Sequence, residues 1–230
     1  MFGSYPFGET ITLDTVTIKT YKKSGLPYYS RTPDTQKALS SPSTILVHPV
    51  EPVTQPKEIT HYYLVELDSP LHIASKDTIT LFLTFPIEIG IYASSKPSIH
   101  PIDTFTLTNP KYTLYGPPEK GIVCKWWKSP LYSNKPSVNP AVEGIMKVII
   151  TSESDQWTTL TKIVFNAYHM KLYYSTFAFM NAAVKVDSYT VRTTILETPL
   201  DNTMERATEL YRLRKIPVIE KKEFLMEWVP

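Results

Sequence analysis

Three carboxylates stand where an extended chain would put them to use: Glu66 and Asp68 in YYLVELD, and Glu88 in FPIEIGIYAS. Residues two apart on a strand share a face. Glu66 and Asp68 would therefore bring their carboxylates close enough to hold a cation or to divide acid and base roles. Exposed strand faces also carry such pairs with no further purpose. Glu88 shares its face with Gly90 and Tyr92, opposite Ile87, Ile89 and Ile91. Among such bulky neighbours an acid would have a raised pKa and serve as a general acid or base, or would pair with a lysine across the strands. Glu66, Asp68 and Glu88 are thus the catalytic candidates, and Tyr92, Tyr112 and Trp127 the ligand-binding ones.

The stretch KYTLYGPPEKGIVCKWW, residues 111–127, holds the only cysteine and two adjacent tryptophans. It reads as strand, turn, strand, with Gly116 and Gly121 bounding the connection. A phosphate-holding loop is excluded, because Pro117 and Pro118 remove two backbone N–H donors and no GK[ST] signature follows. Cys124 lacks a local His or carboxylate to make it a nucleophile and is expected in the core. Alternation puts Ile122, Cys124 and Trp126 on one face and Val123, Lys125 and Trp127 on the other. One tryptophan is then expected inside. The other, flanked by Lys125 and Lys128, either covers the core edge or forms an exposed platform for a sugar, base or protein. The five histidines have no zinc-site spacing, so neither a metal nor a cofactor is expected. HPVEP, residues 48–52, reads as a rigid loop at a strand end, with Glu51 tied to backbone donors.

The elements that must hold these residues are mostly strands. TITLFLTF places Ile79, Leu81, Leu83 and Phe85 on one side, and similar alternation recurs in TITL, VTIK, DTFTLT, VKVDSYTVRTTI and KEFLMEW. A phase break at Asp14 and Thr15 predicts a turn or bulge. One late α-helix is predicted near residues 202–214, from the spacing of Met204, Ala207, Leu210 and Tyr211, an N-cap at Asn202 and a stop at Pro217. The expected fold is mostly β, an antiparallel β-sandwich architecture built as one long double-sheet domain or two packed sandwiches. Pro- and Ser-rich stretches at 24–43 and 129–144 read as linkers, the second dividing a first β unit, 1–135, from a second, 136–230.

Composition narrows the setting. A net charge of +2, from 24 basic and 22 acidic residues, leaves no broad footprint for nucleic acid. No apolar run is long enough to span a bilayer, no secretory signal opens the chain, and a single cysteine suits a reducing, cytoplasmic setting. Proline outnumbers glycine 20 to 7, which lowers unfolded-chain entropy and, with abundant lysine, points to a thermophile.

Taken in order, VHPVEPV, LTFPIEIGIYAS, IDTF, KYTLYGPPEKGIVCKWW and FLMEW resemble an archaeal family of uncharacterised proteins, a domain of unknown function that would cover nearly the whole chain. The resemblance implies an archaeal origin and a largely β fold, and transfers no catalytic residue. The leading functional expectation is therefore a non-catalytic β-sandwich protein, an accessory or regulatory module binding a protein partner or a small ligand. A carbohydrate-directed hydrolase using Glu66, Asp68 or Glu88 is the alternative. Nucleic-acid binding through Lys125, Trp126, Trp127 and Lys128 ranks third.

Overall fold

Apolar alternation becomes paired strands along almost the whole chain. The structure, a computed structural model, describes residues 1–40, 42–55, 57–95, 98–210 and 223–227. Near the N-terminus β2 (Thr10–Leu13), β3 (Val16–Lys23), β4 (Leu26–Arg31) and β5 (Thr35–Ala38) form an antiparallel meander, sheet I. The break at Asp14 is a hairpin turn in which that residue takes a φ of 52°. The 24–43 stretch, expected as a linker, instead supplies β4 and β5, because its tyrosines pair across strands: Tyr21 and Tyr28 face each other and their rings stack.

Sheet II orders β1 (Gly3–Pro6), β6 (Thr44–Val50), β9 (Glu88–Ser95) and β10 (Ser98–Phe105). Sheet I is fastened to it where Tyr29 and Arg31 of β4 both donate to Asp103 of β10, at 2.7 and 2.6 Å. Sheet III has the order β11-β12-β7-β14, from β7 (Tyr62–Ile73), β11 (Lys111–Tyr115), β12 (Ile122–Ser129) and β14 (Thr158–Asn166), with β12 and β7 parallel. Sheet IV contains β8 (Thr78–Pro86), β13 (Glu143–Ser152), β15 (Tyr173–Tyr174), β16 (Ala178–Val186), β17 (Val191–Leu196), β18 (Glu205–Arg206) and β19 (Glu223–Met226). Sheets III and IV each draw strands from both sides of residue 135. One apolar cluster unites all four sheets, with Ile18, Val47, Val65 and Met146 as buried members of each in turn. The result is the all-β, sandwich-like architecture that the alternation predicts.

The late helix is a correction. Residues 202–210 hold a turn, the short strand β18 and irregular chain, while 211–214 lie outside the described residues. Asp201 takes over the turn by accepting from both the backbone N–H and the hydroxyl of Thr203, at 2.8 and 2.5 Å. Glu205 and Arg206 then pair with Tyr174 and Tyr173 of β15. Met204 and Ala207 are buried as the helical spacing suggests, but they are buried against a sheet edge, and tertiary pairing overrides the local pattern.

Only Ile87 separates β8 from β9, so one nearly continuous extended run leaves sheet IV and enters sheet II. Gly90 marks the tightest point of this crossing. A Cβ there would lie 2.7 Å from Val50 Cγ1 and 2.9 Å from the Tyr92 ring. Both neighbours are buried, and the Tyr92 hydroxyl is anchored to the Thr208 carbonyl. Gly90→Ala should therefore lower stability by about 1–3 kcal/mol through overpacking, read as a fall in the urea midpoint at unchanged slope.

Candidate functional site

Glu88 is the first residue of β9, where the chain has just left sheet IV and the 51–55 turn folds over it. Its carboxylate is almost fully buried, at 1% exposure, and receives three donors, one ammonium and two backbone N–H groups. Lys125 Nζ lies 3.0 Å from Oε1. The Thr54 N–H reaches both carboxylate oxygens, at 3.0 and 3.1 Å, and the Gln55 N–H reaches Oε1 at 3.0 Å. Lys125 also donates to the Gln55 carbonyl at 3.2 Å. Burial raises the Glu88 pKa, while the lysine and the two backbone donors pull against that rise. Of the two roles the sequence allows this acid, the geometry supplies the lysine partner.

The Lys125 side of the hairpin is consequently unlike its sequence reading. Lys125 is buried rather than flanking an exposed indole, because β12 brings it under the 51–55 turn and against Glu88. Both tryptophans are half-buried and both indole N–H groups are used: Trp126 donates to Glu66 Oε2 at 2.8 Å, and Trp127 to Thr84 Oγ1 at 3.1 Å. Lys111 Nζ lies 5.2 Å from the Trp126 ring centroid. Cys124 is buried and its thiol is pushed up to about 12, which removes the thiolate a nucleophile needs. The GPPEKG connection closes as a turn on the Pro117 carbonyl, which accepts from Lys120 and Gly121.

Above the ion pair lies a narrow crevice with a cavity volume of about 20 Å³, its lining including Glu88, Lys125, Trp126, Trp127, Thr106 and Asn109. Its walls combine indole surface with hydroxyl and amide groups, the mixture that orients a small polar ligand. Tyr112 lies close by. Its hydroxyl is buried with no hydrogen-bond partner among the described residues, and burial together with the Glu88 charge raises its pKa. Glu66 and Asp68 do not line this cleft. Glu66 is half-buried on β7, level with Lys128 and Lys162 on the flanking strands, and Asp68 is exposed.

Tyr92 belongs to a different group of polar residues, which the sequence reading did not assemble. His48 on β6 is 6% exposed and stands edge-on to the rings of Tyr92 and Tyr174, with centroids 5.6 and 5.0 Å away. Neither ring nitrogen has a partner among the described residues. Burial lowers its pKa, opposed by the charge of Glu205, which accepts from the Tyr174 hydroxyl at 2.8 Å. Glu51, three residues on, is 4% exposed and has one unpartnered oxygen. Burial pushes its pKa to about 7 in spite of bonds from its own and the Leu210 backbone N–H groups. HPVEP announces the rigid strand end. It does not announce that Tyr174 and the 204–210 segment, more than a hundred residues later, cover both groups.

These observations define an all-β, sandwich-like protein with a buried ion pair beneath a tryptophan-lined cleft. The chain belongs to the family described as Protein of unknown function (DUF432), which matches it over residues 1–227. Comparison with curated proteins and with solved structures returns no match. Among the described residues no helix is long and apolar enough to cross a membrane.

Proposed function

We propose that this protein is a non-catalytic binding module, an accessory or regulatory subunit whose cleft between Trp126, Trp127 and Thr106 receives a small uncharged polar group from a ligand or protein partner. The carrying observation is the state of the cleft floor. Glu88 accepts from Lys125 and from the Thr54 and Gln55 N–H groups, and Lys125 also donates to the Gln55 carbonyl, so the floor is a held, charge-balanced surface. Chemistry would require breaking that set, whereas recognition uses it as it stands. Thr106, Thr108 and Asn109 supply hydroxyl and amide groups on the wall. The narrowness favours a projecting group, such as a sugar hydroxymethyl or a carboxamide, over a whole metabolite.

The cytoplasm of a thermophilic archaeon is the proposed setting. A single cysteine held in the core and a proline-rich, glycine-poor composition support it. The test is a titration of the full chain with a neutral oligosaccharide, a glutamine-rich peptide and a dicarboxylate, watching the indole N–H resonances. We expect one of the two neutral probes to shift the Trp126 or Trp127 signal, assigned with Trp→Phe variants, and to be recovered unchanged. Turnover of a probe would overturn the non-catalytic reading, and silence at both indoles would overturn the cleft as the site.

A further inference from the structure

Three connections meet at one end of the sandwich formed by sheets III and IV: 74–77 between β7 and β8, 153–157 between β13 and β14, and 187–190 between β16 and β17. Strand register brings them together. Ser152 of β13 is level with Val186 of β16, Thr151 with Thr78 of β8, and Thr158 of β14 with Ile73 of β7. The loops are then braced to one another. The Ser154 and Ser188 hydroxyls are 3.2 Å apart, Ser75 donates to the Ser154 carbonyl at 3.1 Å, and Lys76 Nζ donates to the Glu153 carbonyl at 2.7 Å while pairing with Asp155 at 2.8 Å. Backbone bonds from Ser152 to Asp77 and from Glu153 to Val186, at 2.9 and 2.7 Å, complete the frame.

On this frame stand the two most exposed large apolar side chains among the described residues, Trp157 at 72% and Tyr189 at 83%. Trp157 sits on the connection that crosses from sheet IV to sheet III, and Tyr189 on a hairpin within sheet IV at the same end. A folded chain that leaves two large aromatic rings in water on braced loops forgoes their burial, and such rings supply rigid contact area at low conformational cost. The same three connections carry Asp77, Glu153, Asp155 and Asp187; Lys76 pairs with Asp155 and Lys185 of β16 pairs with Glu153, which leaves a net of two negative charges at this end of a chain whose overall charge is +2. Asp155 and Asp187 are exposed. The potential repels phosphate-bearing surfaces, nucleic acid and anionic lipid alike. It attracts cations, and an indole or phenol face beside carboxylates is the arrangement that holds a guanidinium or ammonium by cation–π attraction and ion pairing together.

We propose that this loop end docks a basic segment of a partner protein, with Trp157 and Tyr189 receiving Arg or Lys side chains and Asp155 and Asp187 setting the charge preference. This surface is separate from the tryptophan cleft, so its failure leaves the cleft reading standing. The experiment uses the full chain and a labelled Arg-Ser repeat peptide, with a Glu-Ser repeat, phosphatidylcholine vesicles and phosphatidylserine vesicles as competing probes. The Arg-Ser peptide should bind, more weakly as salt rises. Trp157→Ala/Tyr189→Ala, which touches only exposed rings and should keep the wild-type unfolding midpoint, should weaken it about tenfold. Asp155→Asn/Asp187→Asn should flatten the salt dependence. Equal affinity in the aromatic double variant, comparable binding of the Glu-Ser peptide, or vesicle binding that depends on the two rings in place of peptide binding would each overturn the proposal.

Discussion

Lys125→Met should be the most damaging single substitution in the protein outside the apolar core, lowering stability by about 3–5 kcal/mol. The loss comes less from the missing attraction than from what remains. Glu88 would stay buried at 1% exposure with its charge balanced only by the Thr54 and Gln55 N–H groups, and the Gln55 carbonyl would lose its ammonium donor. Glu88→Gln/Lys125→Met should recover more than half of that loss, because the pair of charges is gone and the glutamine carbonyl can still accept from the two N–H groups. A leucine at position 88 should recover less, since it leaves both donors unsatisfied. The measurement is a double-mutant cycle by urea unfolding, and simple additivity of the two single losses would show that the groups do not act as a pair. A pH signature accompanies it. Burial already raises the Glu88 pKa in the wild type, and removing its lysine raises it further. The folded variant then holds a proton that the unfolded chain releases near the ordinary carboxylate range, so Lys125→Met should be closest to wild-type stability in acid and fall behind as pH rises.

The ion pair shows why half of this site was legible and half was not. Strand periodicity is a local property, so the hairpin of residues 111–129, the burial of Cys124 and the faces of β8 and β9 follow from side-chain alternation alone. FPIEIGIYAS shows an acid among bulky residues and names a lysine partner as one outcome, but which lysine depends on β12 reaching β9 across two sheets. Alternation puts Lys125 and Val123 on one face with Trp127 and leaves open whether the lysine flanks an exposed indole or one that covers the core edge. The fold buries the lysine and leaves Val123 at 44% exposure, because the 51–55 turn covers only one end of that face. The late segment fails for a related reason. Helical spacing and β-edge pairing both bury Met204 and Ala207, and the choice was made by Tyr173 and Tyr174, thirty residues away in sequence, offering an unpaired edge. Trp157 and Tyr189 carry no signal in the sequence, because a single aromatic in a polar loop forms no pattern; their meaning comes from the register that brings two loops together.

Glu51→Gln should make the protein more stable than wild type at neutral and alkaline pH, with no gain in mild acid. In the folded chain the Glu51 pKa is pushed to about 7, against an ordinary 4.5. Between those values the native state binds a proton that the unfolded state has released, so wild-type stability falls as pH rises, and the decline levels off above pH 7. The difference of pKa corresponds to about 3 kcal/mol. Glutamine does not titrate, keeps a carbonyl for the Leu210 and local N–H groups, and escapes that decline. His48 acts in the opposite sense. Its pKa is lowered by burial, so its contribution is present above the ordinary value of 6.5 and is lost as pH falls. In wild type the two slopes oppose each other across the acid range. Removing the Glu51 slope should uncover the His48 one: the stability of Glu51→Gln relative to Glu51→Gln/His48→Phe should rise with pH up to about 6.5 and be flat beyond, while the shifted Glu88, Glu143 and His61 act alike in both variants and cancel from the difference. Thermal or urea unfolding at half-unit steps from pH 5 to 8.5 reads both. Parallel pH curves for wild type and Glu51→Gln would show that the carboxyl titrates normally and that the 204–210 segment does not seal it. The expected separation of the two curves as pH rises above mild acid would instead assign Glu51 a share of the pH dependence at the seam between sheets II and IV, where Tyr92 and Tyr174 hold Thr208 and Glu205.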